Sequence, residues 1–279
     1  MYNGARHLES CIQSIRDQDI EDLEIVVVDD GSTDDSLEIA RSLPVRVITQ
    51  ANAGVSVARN HGFLESTGEF VVFQDQDDRF PKGSFATAMK LLREHPDCGM
   101  VFGRARLIDE HDQLIAEQKV RTAPVTVEAF LAGEVIVPPG IAMFRHAEVA
   151  RAEPFDPAWQ IVGDLAFFVG LMKVAPAMKH DAISVEYRRH ATNVSSRGSE
   201  VETLRELLAY LGQERCKTND PPRLGAIDRG MHRWTHRFWR STVTWGIRSM
   251  LGGRFGEAAV AARVALRSLP LRLSGPRDR

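Results

Sequence analysis

The chain has 279 residues, 43% hydrophobic and 26% charged, the composition of a soluble globular protein long enough for one large α/β domain and a smaller element. Its net charge of −3 conceals a division: residues 1–200 carry 31 Asp and Glu against 20 Lys and Arg, whereas residues 201–279 carry 7 against 15. Three scattered cysteines, Cys11, Cys98 and Cys216, argue against a disulfide framework or a cysteine metal site; no apolar run approaches a membrane span, and the first residues lack a signal peptide's regions.

In chain order, Asn3 is placed to cap a helix carrying Leu8, Cys11, Ile12 and Ile15 on one face. Glu24 to Val28 reads as a strand that runs into Asp29-Asp30-Gly31-Ser32-Thr33-Asp34-Asp35. Ser32 followed by Asp35 has the spacing of a capping box, and Gly31 permits a tight turn in which both preceding acids face one ligand. Val45 to Ile48 is a short strand, and Asn52 to Gly62 is a loop entering a helix that stops at Ser66-Thr67-Gly68-Glu69. Phe70 to Phe73 then reads as a strand buried on both faces, running directly into Asp75, Asp77 and Asp78. Three carboxylates within four residues repel one another unless a cation sits among them, and hard oxygen ligands suit Mg²⁺ or Mn²⁺. For an isolated Asp-x-Asp a solvated acidic turn is the better reading; two strands ending in acids shift the balance, because open α/β sheets bind ligands beyond the carboxyl ends of their strands. A helix around Phe85, Met89 and Leu92 precedes a strand from Met100 to Phe102. Arg104–Leu107 and Gln113–Glu117 form a hairpin around Asp109-Glu110-His111-Asp112. The βαβα order up to about residue 103 predicts a mostly parallel sheet.

Tyr2-Asn3, then Val28-Asp29-Asp30-Gly31-Ser32 with Asp34, then Asn52 through Ala58-Arg59-Asn60 to Gly62, then Thr67-Gly68, then Asp75-Gln76-Asp77-Asp78 appear in order and at characteristic spacing. This set resembles the family 2 glycosyltransferases over roughly residues 1 to 200; each motif is weak alone and the ordered set is strong. The resemblance implies the GT-A fold, a Rossmann-like, mostly parallel, nucleotide-sugar-binding sheet, with C-terminal helices added. It implies that Tyr2, Asn3, Asp29, Asp30, Asn52, Arg59 and Asp75 bind the nucleotide, and that Asp77 with Asp75 holds Mn²⁺ or Mg²⁺ at the diphosphate. Asp164 falls on the position of the family's catalytic base at the head of a helix, although Gly163 replaces the commoner Glu. Without the upstream motifs, Asp164 would read as a helix cap. Arg188 and His190 belong to a Tyr-Arg-x-His run that contacts the donor diphosphate or else is a solvated strand end; the two readings weigh equally. Arg145 and His146 lie in a region the family uses near the acceptor. The family has an interior strand before Tyr-Asn, so the coding sequence just upstream of Met1 is expected to supply it in frame.

Residues 201–279 are basic and helical in period, with Trp234, Phe238, Trp239 and Trp245 interleaved with Arg233, Arg237, Arg240 and Arg248. Such a segment fits a helical cap and also fits contact with an anionic membrane surface; no nucleic-acid-binding module accompanies it. The expected domains are therefore a GT-A domain over 1–200 and a basic helical extension over 201–279. The expected activity is metal-dependent transfer of a sugar, with inversion, from a UDP- or dTDP-sugar donor to a saccharide or lipid-linked acceptor, in polysaccharide or glycolipid synthesis. The expected location is the cytoplasm or the inner face of the membrane. An inactive, N-terminally truncated relative that binds a nucleotide sugar or a partner is the alternative. A nucleotidyltransferase is disfavoured by the lack of a glycine-rich, basic phosphate loop.

Overall fold

A computed structural model describes residues 1–119, 124–135, 139–190 and 200–253, with a few positions beyond. The chain divides into two compact units, one of Met1–Phe130 with Glu134–Ser196 and one of Leu131–Gly133 with Arg197–Arg279.

In the first unit, α1 (Ala5–Arg16) buries Leu8, Cys11 and Ile12 on one stripe, as its apolar period requires. It and α2 (Ser36–Ser42) enclose a small core of Leu8, Ile12, Val27 and Ala40. That core covers a parallel pair, β1 (Val26–Asp29) and β2 (Arg46–Thr49). The next elements are α3 (Val55–Leu64), β3 (Phe70–Val71) and α4 (Ser84–Glu94), then β4 (Met100–Ile108) and β5 (Leu114–Glu117). They are followed by α5 (Val127–Leu131), β6 (Ala142–Arg145), α6 (His146–Arg151), α7 (Gly163–Leu171) and β7 (Ala177–Arg188).

A second sheet runs β3-β6-β4-β5, with β7 also on β4. β7 pairs parallel to β4 along its whole length, while β6 and then β5 pair antiparallel with it. β3 pairs antiparallel with β6. The core here is aromatic: Phe155 and Phe167 stack at 4.0 Å, and Phe73 meets both edge-on at 4.9 and 5.7 Å. Burying each such ring contributes about 1.5–3 kcal/mol.

β3 is shorter than the expected strand. Only Phe70 and Val71 are paired, and both are half-buried; among the described residues β3 has a strand partner on one side alone. Among the described residues, β1 likewise pairs with a strand only on the β2 side. Met1 lies against its other edge: the Met1 amine donates to the Val28 carbonyl, and the Asp30 N–H donates to the Met1 carbonyl at 2.8 Å. Gln76, beyond β3, exchanges hydrogen bonds with the Tyr2 backbone at 3.4 and 3.2 Å. The first two residues thus occupy the interval between the carboxyl ends of β1 and β3. The expected strand from Met100 to Phe102 continues to Ile108 and absorbs the first arm of the hairpin. In the second unit, α8 (Glu200–Cys216) packs on α9 (Pro221–Leu251), which starts on Pro221 with the Asp220 carboxylate accepting the Arg223 N–H at 3.1 Å.

Candidate active site

Beyond β1, the carboxylates of Asp29 and Asp30 are buried and fix the surrounding loops. Asp29 accepts the Ser32 N–H at 3.2 Å. Asp30, only 4% exposed, accepts Gln50 Nε2 and the Ala53 N–H, each at 2.8 Å, and the Gly54 N–H at 2.9 Å. Hydrogen bonds to a carboxylate contribute about 1.5–3 kcal/mol each, so these three tie the loops firmly to Asp30. Gly31 has φ +76°, and a Cβ there would stand 2.9 Å from the Asn52 backbone nitrogen. Only glycine allows this approach, so Asp30 and Gly31 together lock the Asn52 loop beside the Asp29 loop, with Asn52 and Tyr2 exposed.

Asn3 does not cap α1. Gly4 occupies that position without a side-chain bond, and Asn3, at φ 49°, accepts the Thr33 N–H at 2.8 Å. Ser32 does not form a capping box either, because its hydroxyl accepts the Asn3 N–H at 3.1 Å and α2 begins a turn later. Both polar side chains bond across the loops, where donors stand closer than the helix ends do.

Arg59, on α3, joins the two halves of the site. Its guanidinium donates to Asp75 and to Asp164, each at 2.7 Å. Burial opposes its charge, but the two carboxylates outweigh that and raise its pKa above the ordinary value. Asp164 lies in the first turn of α7, whose N-cap is Val162 with no side-chain bond. The carboxylate turns to Arg59 instead of to the helix end. Burial raises its pKa, with Arg59 opposing, so it is a better proton acceptor than an ordinary aspartate.

Asp77 pairs with His190 at 2.9 Å, and burial raises the Asp77 pKa. His7, from α1, lies against His190 with ring centroids 5.6 Å apart; burial, followed by Arg188, pushes the His7 pKa down to about 4, which keeps that imidazole neutral. Nothing in the sequence spacing pointed to His7; its position one helical turn before the buried Cys11 is the only available signal. Among the described residues no three His, Cys, Asp or Glu side chains converge to hold a metal by themselves.

Arg188 has a different place from the donor contact set against the solvated strand end. It is 2% exposed and lies beneath the acidic loop. Nε donates to the Asp77 carbonyl at 2.8 Å and Nη1 to the Asp109 carbonyl at 3.1 Å and to Asp112, while its N–H donates to Asp78 at 2.8 Å. It therefore clamps the acidic loop to the β4–β5 turn, with Arg79 adding a 2.9 Å pair to Asp112. Arg145 is also engaged elsewhere: it donates to the Cys98 and Leu92 carbonyls, and His146 stacks on Phe63 at 4.4 Å. Neither residue is brought to the Arg59 cluster.

A family model described as Glycosyl transferase family 2 matches residues 1–146. The chain belongs to glycosyltransferase family 2. Among the relatives of this family 2 chain, an uncharacterized glycosyltransferase of Nostoc, alr2836, is 32% identical over 58% of this chain and 54% of its own length. The Escherichia coli protein YibD, named an uncharacterized glycosyltransferase, is 41% identical over 34% of this chain and 29% of its own. A Campylobacter jejuni GalNAc(5)-diNAcBac-PP-undecaprenol beta-1,3-glucosyltransferase is 35% identical over 42% of this chain and 39% of its own. The chain thus spans about half or less of the length of these relatives. The crystal structure of Staphylococcus aureus TarS 1-349 superposes with TM-score 0.69 at 19% identity, covering 97% of this chain and 79% of that one. The Pyrobaculum calidifontis mannosyltransferase PcManGT, in complex with GDP-Man and Mn²⁺, superposes with TM-score 0.61 at 18% identity, covering 98% and 86%. These likenesses establish the GT-A fold for the family 2 chain.

Proposed function

We propose that this chain transfers a sugar from a UDP- or dTDP-sugar to a hydroxyl of a saccharide or lipid-linked acceptor, with inversion, in polysaccharide or glycolipid synthesis. The observation that carries the reading is the Arg59 bridge, which holds the candidate base Asp164 and the acidic-loop residue Asp75 on one guanidinium. The acceptor oxygen attacks the anomeric carbon as the bond to the diphosphate breaks, its electron pair leaving with the diphosphate, and Asp164 takes the hydroxyl proton. Attack opposite the leaving group is a single displacement and inverts the centre. Tyr2, Asn3 and Asn52 border the nucleoside side of the site, and Asp29 and Asp30 shape it.

Asp77 and Asp75, whose carboxylate oxygens now pair with His190 and Arg59, are the donors that would hold Mn²⁺ or Mg²⁺ completed by substrate phosphates. Bound there, the ion would neutralise charge on the departing diphosphate. TarS has also been crystallised with UDP and with UDP-GlcNAc, and the mannosyltransferase complex holds Mn²⁺, which supports this donor class and this cofactor.

The test is a thermal-shift screen of UDP-, dTDP- and GDP-sugars with and without Mn²⁺, followed by measurement of nucleoside diphosphate released with acceptor. Metal-dependent stabilisation by a UDP- or dTDP-sugar, and acceptor-dependent release, are expected. Asp77→Asn should remove the Mn²⁺-dependent part while the unliganded melting temperature holds. Binding without release would identify an inactive sugar-nucleotide-binding relative.

A further inference from the structure

α9 buries one face and exposes another whose chemistry is unlike the rest of the chain. Ala226, Ile227, Gly230, Trp234 and Thr235 face inward within their unit. A Cβ on Gly133, at φ +67°, would stand 2.9 Å from the Trp234 indole nitrogen, so this tryptophan is fixed in packing. On the outer face, His232, His236 and Trp239, and then Ile247 and Met250 two turns farther on, fall on one row. Trp239 is 42% exposed, Ile247 55%, Met250 61% and the adjacent Leu251 85%. Arg233, Arg237 and Arg248 form a flanking row, all exposed. No Asp or Glu occurs from Arg229 to Gly256.

We infer that this outer face of α9 binds the surface of an anionic phospholipid bilayer, lying in the headgroup layer with Trp239, Ile247 and Met250 against the acyl boundary. Three exposed large apolar side chains in one row lose water contact on such a surface, and the arginine row meets the phosphates. Charge selects the occupant: an uninterrupted basic face complements a negative leaflet. A nucleic acid would satisfy the arginines but leave the apolar row against phosphate. The helix lies on the bilayer rather than crossing it, since among the described residues no helix is long and apolar enough to span a membrane.

The test is co-sedimentation of the full chain with phosphatidylcholine vesicles and with mixed phosphatidylcholine–phosphatidylglycerol vesicles. Binding to the mixed vesicles alone, released as salt rises, is expected. Arg233→Gln with Arg237→Gln should weaken it by about 25-fold at low salt, from roughly fivefold per basic residue near the surface. Trp239→Ser with Met250→Ser should weaken it at every salt concentration, with an unchanged melting temperature because both side chains are exposed. Should that variant unfold, Trp239→Phe in an otherwise intact chain should lose the part of the tryptophan fluorescence quenched by brominated acyl chains. Absence of binding, or binding unaffected by salt and by these substitutions, would overturn the assignment. So would a dimer that Trp239→Ser and Met250→Ser convert to monomer, which would assign the face to a second copy, or preferential binding of DNA over vesicles.

Discussion

Arg59 imposes a specific pH behaviour on Asp164. The carboxylate accepts a proton only when ionised, and burial raises its pKa above the ordinary aspartate value of 3.8. The rate should therefore fall as pH drops through that raised value, giving kcat/KM an acidic limb displaced upward. Because Arg59 opposes the shift, Arg59→Met should carry the limb to still higher pH. Asp164→Asn should lower kcat by about two orders of magnitude or more and remove the limb from the remaining activity, with nucleotide affinity near normal. Measuring kcat/KM against pH for the three proteins decides it, and an unmoved limb would exclude Asp164 as the base. That Asp29, Asp75 and Asp77 follow strands and that Asp164 opens a helix was legible as local pattern, while the candidate role of Asp164 came from the family resemblance. The bridge itself was not legible, since Arg59, Asp75 and Asp164 meet only through folding.

At the scale of elements, the β4–β5 turn and the acidic loop are joined by one buried arginine. Arg188→Met should remove bonds to the Asp77 and Asp109 carbonyls and to Asp112, and destabilise the protein by about 2–4 kcal/mol, read by denaturant unfolding. A residue that only touched the diphosphate would instead raise KM and leave the unfolding midpoint in place. Sequence alone offered Arg188 as either a donor contact or a solvated strand end, because a basic residue after a Tyr gives no sign of burial. Gly230 on α9 gives a second element-scale case. Alanine is favoured over glycine in a helix by about 1 kcal/mol, yet a Cβ at Gly230 would stand 2.0 Å from the Leu131 carbonyl oxygen. Gly230→Ala should therefore lower the melting temperature, against its helix propensity. The helices were legible from apolar period; their caps were not, because Asn3 and Ser32 bond across loops that only the assembled sheet brings together.

For the molecule as a whole, the alternation of strands and helices was enough to indicate an α/β architecture, and the charge division fell near the division into compact units. The reversed strand β6 was not legible, since Ala142–Arg145 is four residues long and the Pro139-Gly140 turn before it does not tell the direction in which the chain leaves. The outer edge of β1 carries a consequence for hydrogen exchange. Val27 and Asp29 direct their backbone groups to β2, so Val26 and Val28 direct theirs to the opposite side, where among the described residues no strand pairs with β1 and the Met1 amine meets the Val28 carbonyl. Amide exchange measured residue by residue should accordingly find Val26 and Val28 less protected than Val27 and Asp29, although all four belong to one strand. Equal protection would mean that this edge is closed in solution.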